Sequence, residues 1–317
     1  MRSISLASKA VLSLFLTGQV AGKMYLLTDT FTGQDFFDGF DWIAEPDPTE
    51  GLVQYVDKAT AQSEGLATVE GGNFFLRADA QTILTGDTGR KSSRIQSVKS
   101  WDLHVSVYNV VHMPQGCGTW PAIWELGVGT WPVNGEVDIL EGVNDVSPNA
   151  ATLHTTPGCT MPDIRNETGV PTQASCDTAV NYNAGCGVHS PDANSYGPAF
   201  NANGGGWYAV ERTDDFIKVW FWPRNSVDAP ACVLEGDDNV NTDSWGTSFA
   251  YFPNTSCDIA SHFNAANIII NLTFCGNWAG QSYSNDGCPG NCTDYVSNNP
   301  SAFTDAYFEL ASIRVYQ

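Results

Sequence analysis

Positive charge is scarce in this sequence of 317 residues. Lysine and arginine number 14 against 35 aspartates and glutamates, which gives a formal net charge of −21. A chain this acidic repels polyanions, so nucleic acid, anionic lipid and sulfated polysaccharide are disfavoured as partners, whereas a neutral ligand is not repelled. Only 15% of residues are charged, while 12% are aromatic, including 10 tryptophans. Such a surface suits stacking on sugar rings, although many of these rings must belong to the core.

Long apolar runs are also missing, apart from the N-terminal segment. Residues 1–21 contain Arg2 and Lys9, an apolar run at 10–16 and then small residues, which is the arrangement of a secretory signal peptide. That run is too short to span a bilayer, and the most apolar later stretch is only strand-length. The sequence therefore predicts a signal peptide over residues 1–21, a secreted, extracellular protein without a membrane partner, and one domain over residues 22–317.

Convincing helical periodicity is nearly absent, and residues 257–263 offer the best case for a short helix. Short runs rich in β-branched and aromatic residues recur instead, separated by Gly, Pro and Asn turns. No internal repeat and no Pro/Ser/Thr-rich linker marks a second module. The sequence predicts an all-β protein, an antiparallel β-sandwich, with strands that include residues 74–77, 105–111, 136–140, 216–222 and 268–274.

Nine cysteines in a chain with a predicted signal peptide indicate a disulfide framework, most simply four bridges and one free thiol. The pairing is left open. No Cys-x-x-Cys pair is matched by a second at zinc spacing. Asn-x-Ser/Thr sequons fit a eukaryotic secretory route and a glycoprotein, although the third lies inside a predicted strand. The sequons are at Asn166, Asn254, Asn271 and Asn291.

Three carboxylates lie within six residues of the segment WPVNGEVDILEG, at 131–142. In a strand, Glu136 and Asp138 share one face, while the apolar residues between them point into a core. Glu141 falls out of phase unless a β-bulge around residues 139–140 accommodates one extra residue. The bulge would place all three acids on one face.

Two carboxylates that face one sugar ring are the groups that cleave glycosidic bonds, one as nucleophile or base and the other as proton donor. Asp138 between them can hydrogen-bond Glu136 and hold the two glutamates in different protonation states. The alternatives for this acidic run are a solvated strand and a calcium site on carboxylates.

The segments around the acids carry a family resemblance. GTWPAIWELG at 118–127 precedes them and ATLHTT at 151–156 follows them, and with GEVDILEG these segments resemble glycoside hydrolase family 16. GEVDILEG fits the bulged Glu-x-Asp-x-x-Glu signature that is typical of laminarinases. DTFTGQDFFDGFDW, NLTFCGNWAG and YFELASIRVYQ are similar to fungal members described as endo-1,3(4)-β-glucanases. The resemblance implies a β-jelly roll with a concave substrate cleft, to which residues 160–206 contribute a wall.

The resemblance also implies roles for particular residues. Glu136 is expected as nucleophile, Glu141 as acid/base and Asp138 as the residue that tunes Glu136. His154 is expected near the acids, hydrogen-bonding substrate or Glu141. Trp120 shares a strand face with Trp124, with core packing as an equal alternative. The expected substrate-binding residues are Trp124, Trp131, His154, Trp278 and, with Gln96, Arg94.

The sequence thus predicts a secreted, endo-acting, retaining β-glucanase that cuts internal β-1,3 linkages of β-glucans such as laminarin. A monomer is expected, with β-glucan as its partner and with no cofactor and no metal. Two alternatives stay open. A transglycosylase would pass the glycosyl unit to another sugar, and a non-catalytic β-glucan-binding lectin would only bind. The three acids argue against the lectin, because stacking aromatic rings suffice for binding.

Overall fold

The computed structural model describes residues 23–86 and 88–317, so the predicted signal peptide lies outside the described residues. Strands dominate these residues. In chain order they are β1 (Tyr25–Phe31), β2 (Phe40–Trp42), β3 (Val53–Tyr55), β4 (Ala67–Glu70), β5 (Asn73–Arg77), β6 (Arg90–Ser92), β7 (Arg94–Ser97), β8 (His104–His112), β9 (Thr119–Gly127), β10 (Glu136–Glu141), β11 (Ala150–His154), β12 (Val170–Pro171), β13 (Val188–His189), β14 (Gly206–Arg212), β15 (Phe216–Pro223), β16 (Asn239–Val240), β17 (Ala250–Pro253), β18 (Ala266–Phe274) and β19 (Tyr307–Tyr316).

The α-helices are short, with seven residues in the longest. They are α1 (Asp35–Gly39), α2 (Lys58–Ser63), α3 (Gly197–Ala202), α4 (Ala231–Glu235), α5 (Ile259–His262) and α6 (Cys292–Asn298). The helix predicted at residues 257–263 is α5. The other helices are not recognisable from sequence, because each covers only one or two turns and is too short to show an apolar periodicity. None of the helices in the described ranges is long and apolar enough to cross a membrane.

Two antiparallel sheets form the sandwich, which confirms the predicted all-β jelly-roll class. One sheet has nine strands and contains the order β16-β1-β19-β8-β14-β15-β17, with β5 joined to β19 and β4 to β5. The other has eight strands in the order β12-β13-β11-β10-β9-β18-β7-β2 and is called the site sheet below. All five strands predicted from sequence are present, each extended by no more than two residues at either end.

The main core lies between the sheets. Alternating residues of the site sheet, such as Val137, Ile123 and Ile270, meet residues of the nine-stranded sheet such as Val210 and Ile313. All five are essentially inaccessible to solvent. Because successive side chains of a strand point to opposite faces, this packing turns the neighbours of Val137, namely the acids, to the outer face of the site sheet.

Several tryptophans belong to a second apolar cluster, which is a core and not a binding surface. It lies on the outer face of the nine-stranded sheet and is covered by α4 and the segment around Trp245. Trp220 and Trp222 stand edge-on to Trp245, with ring centroids 5.4 and 5.6 Å away. Trp207 belongs to the same cluster. The richness in tryptophan is therefore partly structural.

Four disulfides link the described residues, and Cys232 is free, which confirms four bridges and one thiol. The bridges close loops of very different length, from a sequence separation of 10 to one of 171. Bridges that close long loops remove more conformational freedom from the unfolded chain. The pairs are Cys117–Cys288, Cys159–Cys257, Cys176–Cys186 and Cys275–Cys292.

The interval 160–206, expected as a cleft wall, divides between the two sheets. Its residues 170–189 supply β12 and β13, which extend the site sheet beyond β11. The segment around α3 behaves differently. Phe200 in α3 is buried against Tyr208 and Phe221 of the nine-stranded sheet, with centroids 6.4 and 6.0 Å apart. The apolar face of α3 draws that part of the interval away from the site sheet.

Candidate active site

The acid-bearing strand β10 contains the predicted bulge. Asp138 is opposite Trp124 of β9 and Leu140 is opposite Ile123, so Ile139 is the extra residue. The register shift returns Glu141 to the phase of Asp138, across from Ala122. Glu136, Asp138 and Glu141 therefore share the outer face of the site sheet, and the reason is the one anticipated, since the alternative phase would bury Glu141 in the core.

Asn149, just before β11, holds the bulge in place. Its Nδ2 donates to the carbonyl oxygen of Ile139 at 2.8 Å, and its Oδ1 accepts from the backbone N–H of Glu141 at 2.8 Å. Its own N–H donates to Ser195 Oγ at 3.0 Å. A bulge leaves backbone groups without ladder partners, and buried groups of that kind are costly. The Asn149 side chain satisfies two of them and so fixes the backbone that carries Glu141.

The three acids differ in their protonation. Burial raises the pKa of Asp138 well above its usual range, and the charges of Glu141 and Glu136, together with a hydrogen bond to Glu136, raise it further. Burial also raises the pKa of Glu141 to about 7; the Trp120 hydrogen bond opposes this shift and the charge of Glu136 adds to it. A carboxyl group with a pKa near 7 can both donate and accept a proton near neutral pH.

Two indole groups bind the two glutamates directly. Trp120 Nε1 donates to Glu141 Oε1 at 2.8 Å, and Trp131 Nε1 donates to Glu136 Oε2 at 2.5 Å. Trp131 precedes β10 and is 45% exposed, so a ring face remains available to a ligand. Trp120 therefore lies in the site and not in the core, which resolves the alternative left open by the sequence.

His154 lies close to the acid row, as expected, and its neighbour there is Asp138. The histidine lies opposite Glu136 in the β10–β11 register, and its Nε2 is 3.4 Å from Asp138 Oδ2. Its Nδ1 is 3.0 Å from Asn183 Oδ1. Of the two expected partners, substrate or Glu141, the link to Glu141 is not formed, because Glu141 lies further along the strand than the Glu136–His154 pair.

Arg94 and Trp124 form the next part of the face. The Arg94 guanidinium lies 5.1 Å from the centroid of the Trp124 ring, a cation–π contact. Trp124 Nε1 donates to Asn271 Oδ1 at 2.7 Å, and Asn271 Nδ2 donates to Tyr55 Oη at 3.3 Å. Arg94 also borders, with Gln96 and Tyr55, a cavity of about 380 Å³. Both expected cleft residues of β7 thus lie on the outer face.

Trp278 lies beyond the end of β18, in the helical turn Gly276–Gly280. Its ring is edge-on to Trp120, with centroids 5.5 Å apart and an interplanar angle of 82°. It is 37% exposed. Trp278 therefore stands beside the Glu141 end of the acid row, so the face carries indoles near both glutamates.

One ligand atom each from Glu136, Asp138 and His154 lies within 4.8 Å of the others, which is also compatible with a cation. The donor set argues against calcium. Calcium takes six to eight oxygen ligands, whereas this group offers two carboxylates and an imidazole, and Asp138 favours its protonated form. Sugar chemistry accounts for the same residues without an ion.

Sequence reasoning missed the residues that support this site from a distance. The contacts of Asn183, Tyr55 and Asn271 join segments far apart in the chain, and Asn149 reaches back to β10 across the loop before β11. From sequence, Asn271 is only a sequon inside a predicted strand. The one available signal was its phase in β18, where it is opposite Arg94 and Ala122, both on the outer face.

An antiparallel jelly roll with a row of three acids and flanking indoles on one sheet face defines a β-sandwich glycoside hydrolase. A family model described as the XgeA-like, catalytic GH16 domain matches residues 40–316. The chain belongs to this group of glycoside hydrolase family 16.

Known relatives agree with this assignment. A probable glycosidase of Schizosaccharomyces pombe is 43% identical over 299 residues, which cover 93% of this chain and 70% of the relative. A probable endo-1,3(4)-β-glucanase of Aspergillus clavatus is 40% identical over 306 residues, 93% of this chain and 47% of the relative. The chain spans about half the length of most of the curated relatives it matches.

Solved structures share the fold closely. A family 16 laminarinase of Phanerochaete chrysosporium, with 6-O-glucosyl-laminaritriose in donor and acceptor sites, matches with a TM-score of 0.92 and 57% identity over 93% of this chain and 100% of that chain. An elongating family 16 β-1,3-glucosyltransferase matches with a TM-score of 0.86 and 39% identity over 92% and 100% of the two chains.

Proposed function

We propose that this chain is an endo-acting β-glucanase that hydrolyses internal β-1,3 linkages of glucans such as laminarin and retains the anomeric configuration. The acid row on the bulged strand carries the proposal, because it joins a carboxylate of pKa about 7, Glu141, to a second glutamate on the same face. The glucan in the Phanerochaete laminarinase supports the choice of substrate class.

In the proposed first step, Glu136 attacks the anomeric carbon as a carboxylate. The bond from that carbon to the glycosidic oxygen breaks, its electron pair moves to the oxygen, and Glu141 transfers its proton there. Trp131 orients the Glu136 oxygen to which it donates. The product is a glycosyl-enzyme ester on Glu136 and a shortened glucan chain.

In the second step, Glu141 acts as base. It takes a proton from water, the water oxygen bonds to the anomeric carbon, and the ester bond to Glu136 breaks, so both carboxyl groups return to their first state. Asp138 assists by donating a hydrogen bond to Glu136, since its raised pKa favours the protonated form. This hydrogen bond stabilises Glu136 as a leaving carboxylate.

Substrate binding is assigned to Trp124, Trp131, Trp278, His154 and Arg94. The indoles offer flat apolar faces to the C–H surfaces of glucose, and such contacts exclude water from the reacting bond. A β-1,3 chain is curved, and we expect a face bordered by loops at both ends to accept it better than the straight chains of cellulose or xylan. Laminarin should therefore be cut faster than mixed-linkage glucan, and cellulose and xylan should not be cut.

The assigned roles are tested with laminarin and two variants. Glu136→Ala should lose nearly all turnover, and azide should restore cleavage of an activated β-glucoside with an inverted azide product. Glu141→Gln should lose activity mainly on poor leaving groups. Glu235→Ala, at an exposed position of α4, is the matched control and should behave as wild type. Wild-type turnover by folded Glu136→Ala, or α-configured first product in proton NMR, would exclude the mechanism.

Glycosyl transfer is the second candidate, because the glucosyltransferase matches at 39% identity. Transfer shares the first step and differs in the acceptor, which is a sugar hydroxyl and not water. Chain-length analysis of laminarin products separates the two, since hydrolysis only shortens chains and transfer also lengthens them. A lectin is not favoured, because the family is one of glycoside hydrolases.

Residues 1–21 are proposed as a signal peptide that directs secretion, and residues 22–317 as one catalytic domain that acts as a monomer. The four disulfides support an oxidising compartment. N-terminal sequencing of protein recovered from culture medium tests the first part, and light scattering tests the second. A mature protein that keeps residues 1–21 would contradict the signal assignment.

A further inference from the structure

One loop at the β11–β13 end of the site sheet has unusual backbone geometry. Asn181, Tyr182 and Asn183 follow one another with φ values of 51°, 58° and 60°. Left-handed backbone is common for single glycine or asparagine residues, but a tyrosine within a run of three is rare. Strained backbone of this kind persists only where surrounding contacts impose it, and it occurs often at ligand-binding positions.

Several contacts impose this geometry. The Cys176–Cys186 disulfide closes the loop at its base. Gln173 Nε2 donates to the carbonyl oxygen of Gly185 at 2.6 Å, and Asn181 Nδ2 donates to Gln173 Oε1 at 2.5 Å. The loop is therefore fixed at both of its ends and at the residue before Tyr182.

The same loop touches the acid row through His154. Asn183 Oδ1 lies 3.0 Å from His154 Nδ1, and a Cβ atom added to Gly185 would lie 2.8 Å from His154 Cε1. His154 is opposite Glu136 in the register. Since neighbouring strands are about 4.8 Å apart, the loop begins roughly one to two strand spacings from Glu136.

The residue between the two anchored asparagines is Tyr182, and its side chain is fully exposed. When the backbone that carries an exposed aromatic side chain is already fixed, a ligand that stacks on the ring does not have to order that backbone, and only the few side-chain torsions are lost. We propose that Tyr182 is a sugar-stacking position at the β11–β13 end of the cleft, which binds a glucose unit beyond those in contact with the acids. The proposal rests on the β-glucanase function proposed above and adds a specificity residue to it.

A series of laminari-oligosaccharides from three to seven units tests this role. Tyr182→Ala should lower kcat/KM about three- to tenfold for the longer substrates, through KM, and leave the shortest unchanged, because the contact is equal in ground and transition states. Tyr182→Phe keeps the ring and should match wild type. Val227→Ala removes another fully exposed apolar side chain, in the loop after β15 of the nine-stranded sheet, and should change nothing.

The pH profile of Tyr182→Ala should coincide with that of wild type, because Tyr182 contacts no acid. Equal kcat/KM of Tyr182→Ala and wild type at every length overturns the inference, and so does an equal loss at every length. Calorimetric binding of the seven-unit substrate to Glu136→Ala, with and without Tyr182→Ala, separates this inference from the proposed function. If wild type does not cut laminarin while Tyr182→Ala weakens binding, the proposed function fails and the sugar-stacking position stands.

Discussion

Replacing Trp120 with phenylalanine should raise the pKa of Glu141. Trp120 Nε1 donates to Glu141 Oε1 at 2.8 Å, and an N–H donor stabilises the carboxylate more than the carboxylic acid. This hydrogen bond lowers the Glu141 pKa against burial, which raises it to about 7. Phenylalanine keeps an aromatic ring against Trp278 but has no N–H. The result is a Glu141 that holds its proton to higher pH.

The expected size follows from the energy of a hydrogen bond to a charged group. Such bonds contribute about 1.5–3 kcal/mol, and one pKa unit corresponds to about 1.4 kcal/mol. Because water partly replaces the lost donor at this half-buried position, we expect a rise of about one unit. If Glu141 is the proton donor, the alkaline limb of kcat/KM on laminarin moves to higher pH by the same amount.

Carbon-13 NMR titration of the Glu141 carboxyl group measures the shift without relying on activity. Trp124→Phe is the matched control, since Trp124 is on the same strand face but donates to Asn271 and not to a carboxylate. The alkaline limb of the kcat/KM profile of Trp124→Phe should stay at the wild-type pH. An unchanged or lowered Glu141 pKa in Trp120→Phe would refute the reasoning, and a limb that stays in place while the pKa rises would refute the acid role of Glu141.

Three further predictions concern stability and modification. The folded-state pKa of Glu141, about 7, exceeds its ordinary value of 4.5, so the wild type should lose up to about 3 kcal/mol of stability as pH rises between these values. Glu141→Gln should escape this loss and be the more stable protein in urea at pH 8 but not at pH 4; equal stabilities at pH 8 would contradict this. Asn149→Ala leaves two buried backbone groups without partners, so it should lower the free energy of unfolding by about 2–4 kcal/mol and also lower kcat/KM. Unchanged unfolding in urea would disprove the stability prediction. Asn271 is 9% exposed and bonded to Trp124, so mass spectrometry of protein expressed through a eukaryotic secretory pathway should find it free of glycan, in contrast to the exposed sequons; a glycan on Asn271 would contradict the structure.

The features predicted correctly from sequence depend on local periodicity. The alternation of β10 identifies its outer face, and the misplaced Glu141 predicts the bulge, because only one extra residue can bring it back to that face. Four bridges and a free thiol follow from counting cysteines. In each case the relevant information lies within a few neighbouring positions or in composition.

The features that were missed or wrong depend on contacts between distant segments. Asn149 fills the bulge from the start of the next strand, and Asn183 reaches His154 from a loop 29 residues away. His154 was expected near the acids with substrate or Glu141 as partner, but which acid it adjoins depends on strand register, which the sequence does not reveal. The course of residues 160–206 likewise depends on where Phe200 finds an apolar partner.

Electrostatics on the two faces of the site sheet separates a structural carboxylate from those proposed to react. Glu125 of β9 points into the sandwich, where His104 Nε2 lies 2.9 Å from Oε1 and Arg212 donates to Oε2 at 3.1 Å. Burial raises the pKa of Glu125, but His104 and Arg212 outweigh burial and lower it to about 2. Glu125 is therefore a permanent anion that joins the two sheets.

On the outer face, neighbouring charges act in the same direction as burial and raise the pKa. Asp138 is as inaccessible as Glu125, each 1% exposed, yet burial and the charges of Glu141 and Glu136 raise its pKa well above the ordinary range. Within residues 23–86 and 88–317, no lysine or arginine forms a salt bridge with these three acids. In a chain with so few cations, the high pKa values of these acids depend as much on the position of Arg212 beneath the sheet as on the position of the acids above it. A cation beside Glu141 would lower its pKa and remove the proton that the proposed mechanism requires of this residue.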